Sequence, residues 1–169
     1  MTRSLVLAAT LLLLGFLNGQ VNHYLAPLQV SLYLGGLLVT YAALHFGRRS
    51  GVLTMILGGM LADSALPIPF GTHVMLFTLA FLIIHRVRER IPVEERSVQV
   101  MVALFANLGI FLCLSLWRMG VQPSPAATWL RHLVDLALSQ IAIVVIGPWF
   151  LALQSRALQL ARLESRPLL

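Results

Sequence analysis

Asp63 is the residue best placed to do chemistry. It is the only charge between the basic fences Arg48-Arg49 and Arg86-Val-Arg88-Glu-Arg90, and an acid inside an apolar stretch is a functional candidate by default. It follows Arg49 by 14 residues, a rise of ~21 Å along a helix, so it belongs near the far end of that helix rather than at its middle. The reading adopted is structural: Asp63 accepts hydrogen bonds from the Gly71 and Thr72 amides at the start of the next helix, where the macrodipole favours an anion. Contact with a partner or ligand, and proton relay, are the alternatives. His132 and Asp135, spaced i,i+3, are the best local pair for a metal, with His73 as a distant third ligand. Two ligands do not make a site, so no metal is expected and the pair reads as a hydrogen-bonded cap with Ser139 one turn deeper.

No nucleophile constellation accompanies these residues. Ser64, Ser115, Ser124 and Ser139 have no histidine close in sequence, and no glycine-rich phosphate cradle precedes a soluble helix. Glu94 and Glu95 stand beside Arg96 and read as solvated loop charges. The single cysteine, Cys113, excludes an internal disulfide and a cysteine metal cluster and reads as a small core residue. Neither catalytic residues nor a cofactor are expected, and the chain is not read as an enzyme.

The elements that must position these groups are membrane helices. Hydrophobic residues make up 59% and charged residues 11% of the 169, against ~25% charged in a soluble domain, and mean hydropathy is +0.88. A transmembrane helix needs ~20 apolar residues. Residues 4–47 carry no charge and have room for two spans with a break at Gln20 to Pro27. Ser50 to His85 forms a hairpin that bends at Asp63, Pro67 and Pro69. Ser97 to Trp117 and Trp129 to Ser155 supply the last two spans. The expected fold is all-α: one polytopic domain over residues 1–169, six transmembrane helices and no soluble domain. A signal peptide is the rival reading of Arg3 and the leucine-rich run after it, but Gly15, Asn18 and Gly19 lack a small-x-small cleavage pattern.

All 12 basic residues are arginines. With the N-terminus inside, only Arg118 and Arg131 fall outside, a strong positive-inside bias. Both termini are therefore expected in the cytoplasm, and the pI near 11.1 reflects a rim at the lipid headgroups, not a nucleic-acid surface.

Small residues recur at helical spacing. Ser50, Thr54, Gly58 and Ala62 form one ridge; Gly51, Gly59 and Asp63 form the next. Gly15 with Gly19, and Ser31 with Gly35, repeat the pattern. Such ridges admit close helix approach in lipid, where van der Waals contact and interhelical hydrogen bonds drive association. Packing inside the bundle is the plain reading and a docking face for a partner helix the other. Asn18, Asn22 and Asn107 read as interhelical hydrogen-bonding groups, and Gly147-Pro148 as a kink.

The central segment, Gly51 through Gly58-Gly59 to Asp63, a turn through Pro67 to Gly71, then an apolar helix ending in Arg86-Val-Arg88-Glu-Arg90, resembles the rod shape-determining MreD family. Chain length, the helix beginning near Pro27 that ends in Phe46-Gly-Arg48-Arg49, and the six-span layout fit the same resemblance; Gly58, Asp63 and Gly71 are its specific core. The resemblance implies a non-catalytic scaffold of the bacterial elongasome in the inner membrane. It further implies partnership with a bitopic MreC-type protein and, through it, MreB filaments and the peptidoglycan glycosyltransferase and transpeptidase. That family's bundle is also similar to the substrate-binding S-components of energy-coupling-factor vitamin transporters, which supplies the alternative function. The candidate structural or partner residues are Gly58, Gly59, Asp63, Gly71, Thr54, Ala62, Arg48 and Arg49.

Overall fold

The structure, a computed structural model, describes residues 2–65, 69–90, 92–119 and 125–160, with side chains for 13–64, 69–90, 92–118 and 129–156. Among the described residues every regular element is helical. Six α-helices follow in order: α1 (Thr2–Leu25), α2 (Gly35–His45), α3 (Arg48–Ala65), α4 (Thr72–Val87), α5 (Arg96–Met119) and α6 (Pro125–Leu160), with single 3-10 turns at Ala26–Leu28 and Arg88–Arg90.

α2 is the hub. It has only 11 residues, and Gly36 through Leu44 are all buried; a helix apolar all round must be enclosed on every side. α5, α4, α3 and α6 enclose it. Leu37, Val39, Tyr41, Met55, Phe81 and Ile143 form the best-buried part of the core. The α3–α4 hairpin is the most extensive packing in the molecule, and its cause is Gly59. A Cβ there would stand 2.4 Å from Val74 Cα and 2.5 Å from Val74 N, so the two backbones touch where a side chain cannot fit. α2 and α5 meet in the same way at Gly36, whose Cβ would fall 2.5 Å from the backbone nitrogen of Asn107.

The surface is rich in apolar side chains. Phe16, Leu79, Phe105, Leu130, Val145 and Trp149 are among many large apolar side chains left exposed, while Thr40, Asp63, His73, Asn107, Asp135 and Ser139 are buried. Arg96–Arg118 and Trp129–Arg156 are each long and apolar enough to cross a membrane, which points to a membrane protein. α6 continues through Pro148 as one helix.

Several expectations change. The helix expected to begin near Pro27 begins at Gly35; between them Gln29 adopts a left-handed conformation and residues 30–34 form no helix. The Gly15 and Gly19 ridge packs against nothing, since a Cβ at either would meet no atom within 4 Å. Cys113 is exposed rather than in the core and lies in a shallow apolar groove between α4 and α5. The Pro67 part of the hairpin turn lies outside the described residues, as do Arg162 and Arg166.

Candidate functional site

Residues 30–34 pose a physical problem: backbone without helical partners inside an apolar bundle leaves amides and carbonyls to be satisfied by something else. Side chains from α1 and α6 do this for residues 31–33, and one from α5 does the same at the start of α2. Asn22 of α1 binds Leu32 at both ends, accepting from its amide at 2.6 Å and donating to its carbonyl at 2.9 Å. Asp135 of α6 accepts from the Ser31 amide and the Ser31 hydroxyl, both at 2.9 Å. One turn deeper, Ser139 Oγ accepts from the Tyr33 amide at 3.0 Å and donates to Asp135 O at 2.6 Å. Asn107 of α5 accepts from the Gly36 amide at 3.1 Å, at the start of α2.

A second polar cluster joins α3 to α4. Asp63 Oδ2 accepts from the Gly71 amide at 2.8 Å, and Oδ1 accepts from the His73 amide at 2.9 Å and from His73 Nδ1 at 2.8 Å. The expected Thr72 amide turns instead to Pro69 O, so the partners of Asp63 are Gly71 and His73. Gly71 is needed for its conformation, φ +101°, which L side chains rarely adopt. Because a carboxylate only accepts, Nδ1 of His73 carries its proton toward Asp63, and Nε2 faces the other way.

Of the remaining predicted residues, Gly58 is buried and Ala62 half-buried, both on a cavity wall. Thr54 is buried and donates to Ser50 O at 2.8 Å. Arg48 and Arg49 are exposed at the first turn of α3. The proposed His132–Asp135 bond is not formed: Asp135 is occupied by Ser31, and His132 sets its ring edge against Phe111, centroids 6.2 Å apart. His73 is held by Asp63 and does not join them. Among the described residues no three metal-ligating side chains come together. At the opposite end of the bundle, Arg88 donates to Phe46 O at 3.0 Å and closes the C-terminus of α2.

The two clusters flank a cavity of about 730 Å³ bounded by α1, residues 31–35, α3, the start of α4, α5 and α6. Its walls are mostly apolar, with Leu14, Leu38, Phe77 and Leu114 among them. His73, Tyr33, Phe111 and His132 form a continuous row of rings along it, with neighbouring centroids 6.2, 6.3 and 6.2 Å apart. His73 Nε2, Tyr33 OH, His132 Nε2 and Asn18 Oδ1 are buried and have no hydrogen-bond partner, and all four residues line this cavity. An unmade bond of this kind costs ~1–3 kcal/mol. Arg118, at the end of α5, lines the same space and forms no ion pair among the described residues.

Sequence reasoning missed Tyr33, Arg118 and Ser31. The signals were present: Asn18 and Asn22 lie one turn apart on α1, and Ser31 and Tyr33 alternate with leucines in a segment that never becomes helical. Comparison with known proteins yields no match: no family model fits the chain, and no curated protein or solved structure is significantly similar to it.

Proposed function

We propose that the chain is a multi-pass scaffold of the bacterial inner membrane, of the MreD type, that organises peptidoglycan synthesis for rod-shaped growth and performs no catalysis itself. All six helices cross the bilayer in this reading, both termini are cytoplasmic, and the second crossing is composite: α2 rises ~16 Å and the non-helical residues 30–34 add about as much again. The carrying observation is the α3–α4 hairpin. The segment that resembles the family is the most tightly joined part of the molecule, closed at Gly59 and tied at Asp63, while the outward faces of α4, α5 and α6 are apolar and open to lipid or to a partner helix. An MreC-type bitopic protein is the partner in this reading, with MreB filaments and the glycosyltransferase and transpeptidase reached through it.

The test is purification of the tagged full chain from membranes in mild detergent, with identification of what comes with it, alongside cell shape on depletion. An MreC-type protein in the eluate and rounding of depleted cells are the expected results. Retention of rod shape without the protein, with an ATPase component in the eluate, overturns the scaffold. The second reading, the substrate-binding subunit of a vitamin-type transporter, is favoured by the cavity and its unpartnered polar groups, and solute uptake is its measurement.

A further inference from the structure

We infer that the cavity beside residues 31–35 binds an amphiphile with an acidic head, a phosphate or a carboxylate, and an apolar body. The inference stands apart from the scaffold reading, since a cavity ligand needs no elongasome partner.

The volume of about 730 Å³ lies within the ~300–1,000 Å³ typical of small-molecule sites. Such sites pair apolar walls with a few convergent polar atoms, and this one has both. His73 is fully buried on the cavity lining, and its Nε2 has no hydrogen-bond partner. It is not an idle side chain: Asp63 fixes the ring through Nδ1 at 2.8 Å and holds its backbone amide at 2.9 Å, so the free nitrogen is rigidly presented. Tyr33 OH and His132 Nε2 repeat the pattern along the same ring row.

Arg118 is the group that selects the head. Asp135 also lines the cavity and keeps its charge, but both its oxygens are turned to Ser31 and both oxygens of Asp63 are turned to the α4 start, so neither carboxylate offers a free oxygen to a ligand. Arg118 has no ion-pair partner among the described residues. A guanidinium fork is suited to phosphate or carboxylate, the Tyr33 hydroxyl is a donor, and so is His132 Nε2 in the tautomer that carries its proton there, while His73 Nε2, opposite an Nδ1 that donates to Asp63, accepts from a protonated acid head. The Leu14, Leu38, Phe77 and Leu114 walls then receive the apolar body. Gly15 and Gly19 leave the α1 side open, with no atom within 4 Å of a Cβ at either.

The acidic amphiphile has two possible sources, a membrane lipid with an anionic head and a soluble organic acid. The experiment uses the full chain in neutral detergent, with octyl phosphate and octanoate as probes, octanol as neutral control, and native mass spectrometry for lipid carried through purification. Octyl phosphate or octanoate is expected to bind at least tenfold more tightly than octanol, and Arg118→Gln and Tyr33→Phe each to lose at least fivefold of that affinity. Cys113→Ser, on the α4–α5 groove, is expected to leave it unchanged. A co-purifying acidic lipid that diminishes in the same two variants assigns the source to the membrane; probe binding without such an adduct assigns it to a soluble acid. Equal binding of acid and alcohol, or binding of the acids unchanged in both folded variants, overturns the proposal. Tyr33→Phe removes one oxygen only, so it keeps the test open if Arg118→Gln fails to fold.

Discussion

Both carboxylate oxygens of Asp135 are spent on one residue, Ser31, which lies 104 positions earlier in the chain: one receives its amide and the other its hydroxyl, each at 2.9 Å. An acid near the start of α6 therefore completes the backbone of a segment between α1 and α2. Its neighbour Ser139 does the same for Tyr33.

The first prediction follows from that pairing. Asp135→Asn keeps an acceptor for the Ser31 amide, and its NH2 can donate to the hydroxyl, so the variant should unfold close to the wild type. Asp135→Leu strands both donors at ~1–3 kcal/mol each and should lower the thermal unfolding midpoint in detergent and the amount of protein in membranes. Equal stability of the two variants would show that residues 30–34 are not braced by α6.

Asp63 makes a graded case. Asp63→Asn retains one acceptor oxygen for His73 and loses the bond to the Gly71 amide, whereas Asp63→Leu loses all three. The order of stability should be wild type, then Asn, then Leu, with each lost bond worth ~1–3 kcal/mol and read by urea or thermal unfolding. A leucine variant as stable as the wild type would remove the tie between α3 and α4.

Glycine substitutions separate packed from open positions. Gly59→Ala places a methyl 2.4 Å from Val74 Cα and should cost ~1–3 kcal/mol as the helices part. Gly19→Ala meets nothing within 4 Å and should be neutral or gain up to ~1 kcal/mol from helix propensity. Unfolding midpoints of the two proteins, measured side by side, decide the matter, and a loss at Gly19 equal to that at Gly59 would contradict the packing described.

Orientation is testable by fusion. A reporter after Leu169 should report cytoplasm and one inserted at Gln122 should report periplasm, because ten arginines fall on one side of the six-span layout and two on the other. A periplasmic signal at Leu169 would remove one crossing from the proposed six.

What could be read in the sequence was what depends on local pattern. The apolar stretches and the arginine fences gave the number of helices and the α3–α4 hairpin, the small-residue spacing marked the packed face of α3 at Gly51 and Gly59 but also the open Gly15–Gly19 pair, and the dipole argument placed an acid against the start of α4, one residue off at Thr72 instead of His73. What could not be read depended on contacts distant in sequence. Residues 30–34 look as apolar as any helix; they stay non-helical where Asn22, Asp135 and Ser139 offer their backbone partners, and the alternation of Ser31 and Tyr33 with leucines is the one local sign of it. The same blindness paired His132 with Asp135, since i,i+3 spacing cannot reveal that Ser31 arrives to claim the carboxylate. The Asn18, Tyr33 and Arg118 lining was invisible because a cavity is a property of several helices at once.

The braces of residues 30–34 also order events in time. Synthesis proceeds at ~5–20 residues per second, so Asp135 leaves the ribosome roughly 5–20 s after Ser31, and Ser139 follows it. Until then the amides of Ser31 and Tyr33 have no partner on α6, and hydrocarbon offers them none. If α1 and α2 cross the membrane as proposed, the stretch between them should wait in a wet place, at the membrane surface or in the insertion channel, and be drawn into the bundle last. The N-terminal third of this protein is completed by its C-terminal helix, and a chain truncated before α6 should be recognised by quality-control proteases as unfinished, even though its first five helices have all been made.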